Sequence, residues 1–252
     1  AAINNLVKNG LLVFFFKQKT AYEMTIQTLI DHPDFPLEKA IRRMAILALS
    51  ANKGAIRALK NADQELIQEV VDTYNDVNRL NLYVVRQLKF SLEQNLFKEL
   101  GFKTPKEFLG YRIVTNDIKS IAENAMNVVS NIIVLKKMID EETLFLKETI
   151  DEEVYSQISN FNASAHQLFE ESLKAMFKRD YDHADKIISR LETLATLEND
   201  LISVVSTKKM DPKISSLLRL ALDNSRRIIE YSRDVADVTL NRTIEEITTQ
   251  NF

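Results

Sequence analysis

Ile118-Lys-Ser-Ile121-Ala-Glu123-Asn-Ala125-Met-Asn127-Val128 returns, at a fixed offset, as Ser225-Arg-Arg-Ile228-Ile-Glu230-Tyr-Ser232-Arg-Asp234-Val235. A base, an acid four residues on and a polar group four beyond that recur together: Lys119 with Arg226, Glu123 with Glu230, Asn127 with Asp234. A repeated helical unit implies a duplicated architecture, so the repeat decides how the rest of the chain is read. Around the first copy, Ile118, Ile121, Ala125, Val128, Ile132 and Leu135 alternate spacings of three and four. That is the seam of a helix packed lengthwise on near-parallel neighbours.

Working outward, the whole composition favours helices. The chain has 252 residues, 45% hydrophobic and 27% charged, with only 4 Gly and 4 Pro and no Trp. So few breakers over such a length predict long uninterrupted helices around an ample core. The absence of cysteine excludes disulfides, thiolate metal sites and cysteine nucleophiles. A net charge of -3, from 33 basic and 36 acidic residues, argues against a nucleic-acid surface. No apolar run reaches the roughly 18–20 residues needed to cross a bilayer, so a cytoplasmic protein without membrane insertion is expected.

Helix patterning begins after the irregular linker His32-Pro-Asp-Phe-Pro36. The first helix is predicted from about Pro36 to Leu59 and the second from Asp63 to Leu100, with apolar positions at Leu66, Val70, Val77, Leu80, Val84 and Leu88. Gly101 fits the position after a helix. Thr104-Pro105-Lys-Glu107 supplies a cap, a first-turn proline and a capping-box acid for the third helix, which runs to about Met138. The polar segment Asp140-Glu-Glu-Thr143 separates the halves. A fourth helix follows over Leu146–Lys178, a fifth, with weaker apolar spacing, over His183–Val205, and a sixth, capped by Asp211-Pro212, to about Thr248. The expectation is all-α: two tandem antiparallel three-helix bundles, at residues 25–139 and 140–252.

Residues 1–24 stand apart. Leu11-Leu-Val-Phe-Phe-Phe16 is a short apolar block, and Phe16 to Met24 resembles the translation of a short-read sequencing adapter. The stretch is read as non-native and kept out of the functional argument. The alternative is an edge strand of a small N-terminal domain, since aromatic runs favour strands.

The duplicated pattern resembles the PhoU family, regulators of phosphate uptake built from two tandem three-helix repeats. Ile118–Val128 and Ser225–Val235 fall on that family's string Leu-Glu-Arg-Ile-Gly-Asp-His-Ala-x-Asn-Ile. His32 to Met44, Val85-Arg86-Gln87-Leu88 and Leu109-Gly-Tyr111-Arg112 resemble its archaeal members. Many of those carry an AbrB-like DNA-binding segment ahead of the repeats; residues 1–24 are too few to form one, so a truncated N-terminus and no nucleic-acid role are expected. The resemblance implies a non-enzymatic regulator whose partners are a transporter component or a sensor kinase. A homodimer is expected of such elongated bundles.

The resemblance also implies a divalent metal or iron on the outward acidic faces. Glu123 and Asn127 are stacked one turn apart opposite the seam, Glu230 and Asp234 take the same place on the sixth helix, and Asp72 with Asp76 on the second could add oxygen ligands. The first acid of the family pattern, however, is replaced by Lys119 and Arg226. A base there removes a ligand, and the same residues then read as surface ion pairs worth roughly 0.2–0.5 kcal/mol each. His32, His166 and His183 are isolated, no Glu-x-x-His occurs, and the glycines form no phosphate loop. Met44, Met126 and Met176 read as core filler and Asp151-Glu-Glu153 as solvated. Two other functions stay open: a metal-dependent helical-bundle enzyme or storage protein, and a helical scaffold with no phosphate link.

Overall fold

The computed structural model describes residues 13–17, 24–28, 36–140 and 150–250, with side chains at 36–60, 62–137 and 150–242. Two strands, β1 (Val13–Lys17) and β2 (Met24–Thr28), pair antiparallel with Phe15 opposite Ile26. The aromatic run therefore forms a strand, and its ladder continues past residue 24 to Thr28. Among the described residues six helices follow: α1 (Leu37–Asn61), α2 (Gln64–Glu93), α3 (Glu107–Asp140), α4 (Glu152–Lys178), α5 (Tyr181–Thr207) and α6 (Pro212–Gln250). The linker residues 32–35, the separator at 141–143 and the expected start of the fourth helix at Leu146 lie outside the described residues.

Aspartates start four of the helices. Asp63, Asp151, Asp180 and Asp211 each accept a hydrogen bond from a backbone N–H two or three residues on, at 2.8–3.1 Å. Each cap satisfies a donor that the first helical turn leaves without a partner, typically worth about 1 kcal/mol. Several boundaries differ from the sequence expectation: α4 begins at Glu152, capped by Asp151, and not at Leu146, and α5 spans Tyr181–Thr207 and not His183–Val205. α2 ends at Glu93, not Leu100, because Asn95 turns left-handed (φ 57°) and the chain continues in turns to Gly101 (φ 76°). α3 begins at Glu107, two residues after Pro105, because residues 104–109 close with three-residue turns such as Phe108 N–H to the Pro105 carbonyl.

Each half packs as an up-down-up trio. α1 lies on α2 and α3, and α4 lies on α5 and α6. The seam of α3 is buried as its spacing predicts: Ile118, Ile121, Ala125 and Val128 are fully enclosed, and Ile132 and Leu135 nearly so. Met44 and Met176 are enclosed as well, beside Ile41 in one half and Phe161 and Phe169 in the other. Side chains of this size contribute about 1.5–3 kcal/mol each when fully buried. The weak spacing of α5 has its counterpart: no residue between Leu191 and Leu201 is buried, and Leu197 is exposed.

The halves join through α3 against α6, with a lighter contact of α1 on α4. Both pairs run antiparallel. On α3 and α6, Glu107 meets Arg242, Gly110 meets Val238, and Asn124 meets Asn224. On α1 and α4, Arg42 lies over the Phe177 ring, Asn52 meets Asn162, and Lys60 meets Glu152. This is the relation expected of two equivalent units facing each other about an approximate two-fold axis.

Candidate functional site

The duplicated pattern occupies equivalent settings. Lys119 donates to the Glu123 carboxylate on α3, and Arg226 donates to the Glu230 carboxylate on α6. Glu123 is half-buried, Asn127 and Glu230 are exposed, and Asp234 is half-buried. Arg226 also holds Asp223 at 2.9 Å and Glu198 of α5 at 3.4 Å. Each cation thus consumes the acid that the resemblance would offer to a metal. On α2, Asp72 accepts from Gln68 at 3.0 Å and Asp76 pairs with Arg79 at 2.9 Å, both on an exposed face.

The six candidate ligands do not fit a metal centre. Among the described residues, no three histidine, aspartate or glutamate side chains converge on one point. A hard cation needs about six oxygen donors with little competing positive charge. Here Lys119 and Arg226 each donate to one of the two acids and set a positive charge against it.

The α3/α6 joint holds two groups that periodicity could not single out. Asp117 is 6% exposed, and its Oδ2 has no hydrogen-bond partner among the described residues. Burial, reinforced by the nearby Asp234 carboxylate, pushes its pKa up to about 7. Asp234 is itself raised, first by burial and then by Asp237. At the same place in the second half stands Asn224, whose amide donates to the Asn124 carbonyl at 2.9 Å. The two ends of the joint therefore share a geometry but not a chemistry.

The second group is a buried ionic cluster. Glu107 contacts Arg242 at 2.5 Å and Arg179 at 3.2 Å, and its Oε1 accepts from the Lys103 backbone N–H at 2.6 Å. Arg242 also donates to the Met176 carbonyl at 3.0 Å, and Arg179 to that of Gly101 at 2.9 Å. These cations face the negative end of the α4 dipole. Glu107 is more than a capping acid: it ties the start of α3 to the ends of α4 and α6. Arg179 itself is left-handed (φ 56°), a conformation costly outside glycine, and its guanidinium contacts offset that strain.

The histidines divide. His183 is half-exposed on α5, and His32 lies outside the described residues. His166 is half-buried, with Nε2 2.8 Å from the Asn52 Oδ1. Asn162 donates to the same oxygen at 2.7 Å and contacts the Ser225 hydroxyl at 3.0 Å. Burial, with a lesser push from Lys53, lowers the His166 pKa to about 4. Asp151 departs from the solvated expectation, since it caps α4 and pairs with Lys208 at 2.5 Å. That hydrogen bond, with the backbone N–H of Val154, lowers its pKa.

Comparison with known proteins adds the following. The family model of the PhoU domain matches residues 41–132, which span α1 to most of α3. A search of the curated proteins finds no match to the sequence. Among solved structures, the fold is similar to the phosphate transport system regulatory protein PhoU from Streptococcus pneumoniae, with a TM-score of 0.63 and 13% identity over 82% of this chain and 93% of that one. It is also similar to PhoU from Pseudomonas aeruginosa, with a TM-score of 0.51 and 15% identity over 83% and 96% of the two chains. The structural likeness covers both halves of this chain, whereas the family model covers the first.

Proposed function

We propose that this chain is a PhoU-type regulator of phosphate uptake, of the archaeal kind, and that it acts through contact with other proteins and not as an enzyme. The observation that carries this reading is the PhoU domain match over residues 41–132, joined to a second trio of helices that repeats the same acidic face. The long helices present charge in fixed patterns, Lys119 with Glu123 and Arg226 with Glu230. Such patterns give specificity and steering toward a partner of complementary charge. The partner we assign is a transporter component or a sensor kinase of the phosphate-uptake system, met by a homodimer of this chain. No helix among the described residues is long and apolar enough to cross a membrane, so the contact is made from one side of it.

The test is affinity capture of the chain from cells of its source grown with excess phosphate and with limiting phosphate. Recovery of a phosphate-transporter subunit or its sensor kinase under excess, weakened by charge reversal at Glu123 and Glu230, is the expected result. Recovery of neither would overturn the reading. Elemental analysis of the purified chain addresses the metal separately. We expect no stoichiometric iron or divalent cation, for the reason of charge given above.

A further inference from the structure

A second site lies between the first helices of the two halves. α1 and α4 flank a groove of about 650 Å³ to which neither α3 nor α6 contributes. One wall is apolar, formed by Ile46, Leu49, Ile56 and the body of Tyr155. Ile46 is 67% exposed at its rim, which leaves apolar surface open to a ligand. A volume of this size is within the range of small-molecule sites, which combine mostly apolar walls with a few placed polar groups.

The charged groups on the lining are mainly cationic. Lys53 and Arg57 line the groove one turn apart, and no described carboxylate pairs with either. Like charges at this spacing repel, a cost that an anion between them would reverse. Glu170 is the one carboxylate on the lining, so the cations outnumber it. The nearest histidine, His166, adds no negative charge and spends its Nε2 on Asn52.

Ser159, Asn162 and Gln167 of α4 add neutral polar groups to the lining. Cations without an ion pair and an apolar wall together describe one ligand class.

We propose that the α1/α4 groove binds an organic phosphate with a flat apolar body, of the size of a mononucleotide. Its phosphate sits between Lys53 and Arg57, and its body lies against Ile46 and Ile56. The assignment is independent of the regulatory reading: the groove would take such a ligand whether or not the chain contacts a transporter.

The experiment is calorimetric titration of the full chain with AMP, adenosine and inorganic phosphate at low ionic strength, repeated on Lys53→Gln/Arg57→Gln and on Ile46→Glu. AMP should bind at least tenfold more tightly than adenosine or phosphate. The double variant should lose tenfold or more in AMP affinity with unchanged thermal midpoint, since both side chains point to solvent. Ile46→Glu should weaken AMP. No AMP binding at millimolar concentration, equal affinity in the double variant, or phosphate or adenosine alone matching AMP would each overturn the proposal.

Discussion

Asp117 is the residue whose environment has the clearest measurable consequence. Its pKa is raised from 3.8 to about 7 in the folded chain. A carboxyl that holds its proton more tightly when folded adds stability that is whole below pH 3.8. That stability is lost as pH rises toward 7, by at most about 1.4 kcal/mol per unit. Asp117→Asn should therefore raise the thermal midpoint at pH 8 and flatten its dependence between pH 4 and 7, and its equivalent Asn224 shows that an amide fits such a place. An unchanged profile would refute the burial argument. His166 acts from the other side. Its pKa is lowered from 6.5 to about 4, so its contribution is present above pH 6.5 and is lost as pH falls through that window. His166→Gln should remove this acid-side decline, read as urea midpoints at pH 7 and pH 5. The repeat pairs should matter far less. Lys119→Ala should cost under about 0.5 kcal/mol, as exposed pairs do. Arg226→Ala should cost more than Lys119→Ala, because Arg226 also neutralises Asp223 and the mostly buried Glu198. The ion pairs of the acidic faces were legible in the sequence because both partners lie on one helix four residues apart. Asp117 was not, because its neighbour Asp234 lies on another helix and no local period encodes that meeting.

At the scale of the helices, Gly110 governs how closely α3 and α6 cross. A Cβ added there would stand 2.6 Å from Val238 Cγ1. Gly110→Ala gains about 1 kcal/mol in helix propensity but overpacks the joint, which typically costs about 1–3 kcal/mol. The single variant should be neutral to destabilised in chemical denaturation, and Val238→Ala in the same chain should recover the propensity gain. Non-additivity in that double-mutant cycle is the decisive reading. Helix existence and the α3 seam were open to sequence reasoning because a three-four alternation has one physical solution, a stripe facing a neighbour. The early end of α2 was not. Asn95 takes the left-handed turn seven residues after Leu88, while the apolar residues Phe97 and Leu100 continue past it and pack on the core from turns. Glu107 was read correctly as a first-turn acid, but its burial depends on Arg179 and Arg242, both far along the chain.

For the whole molecule, the cluster around Glu107 is the one buried ion-pair tie between the halves among the described residues, beside neutral contacts such as Asn52–Asn162 and Asn124–Asn224. Removing one partner of a buried ion pair leaves a charge uncompensated and costs about 3–5 kcal/mol. Glu107→Ala should lower stability by that order. Because the loss falls on the joint, calorimetry should show the single unfolding transition broaden or divide, with each half melting more independently. A uniform shift of one sharp transition would mean that the cluster supports α3 alone.

The swap of Asp117 for Asn224 gives this near-symmetric molecule a direction. One pole of its central seam carries titrating carboxylates, and the other carries amides. A partner that is itself two-fold symmetric, or a second copy of the chain, would meet poles alike in outline but different in charge. Protonation of Asp117 would lessen that difference in charge.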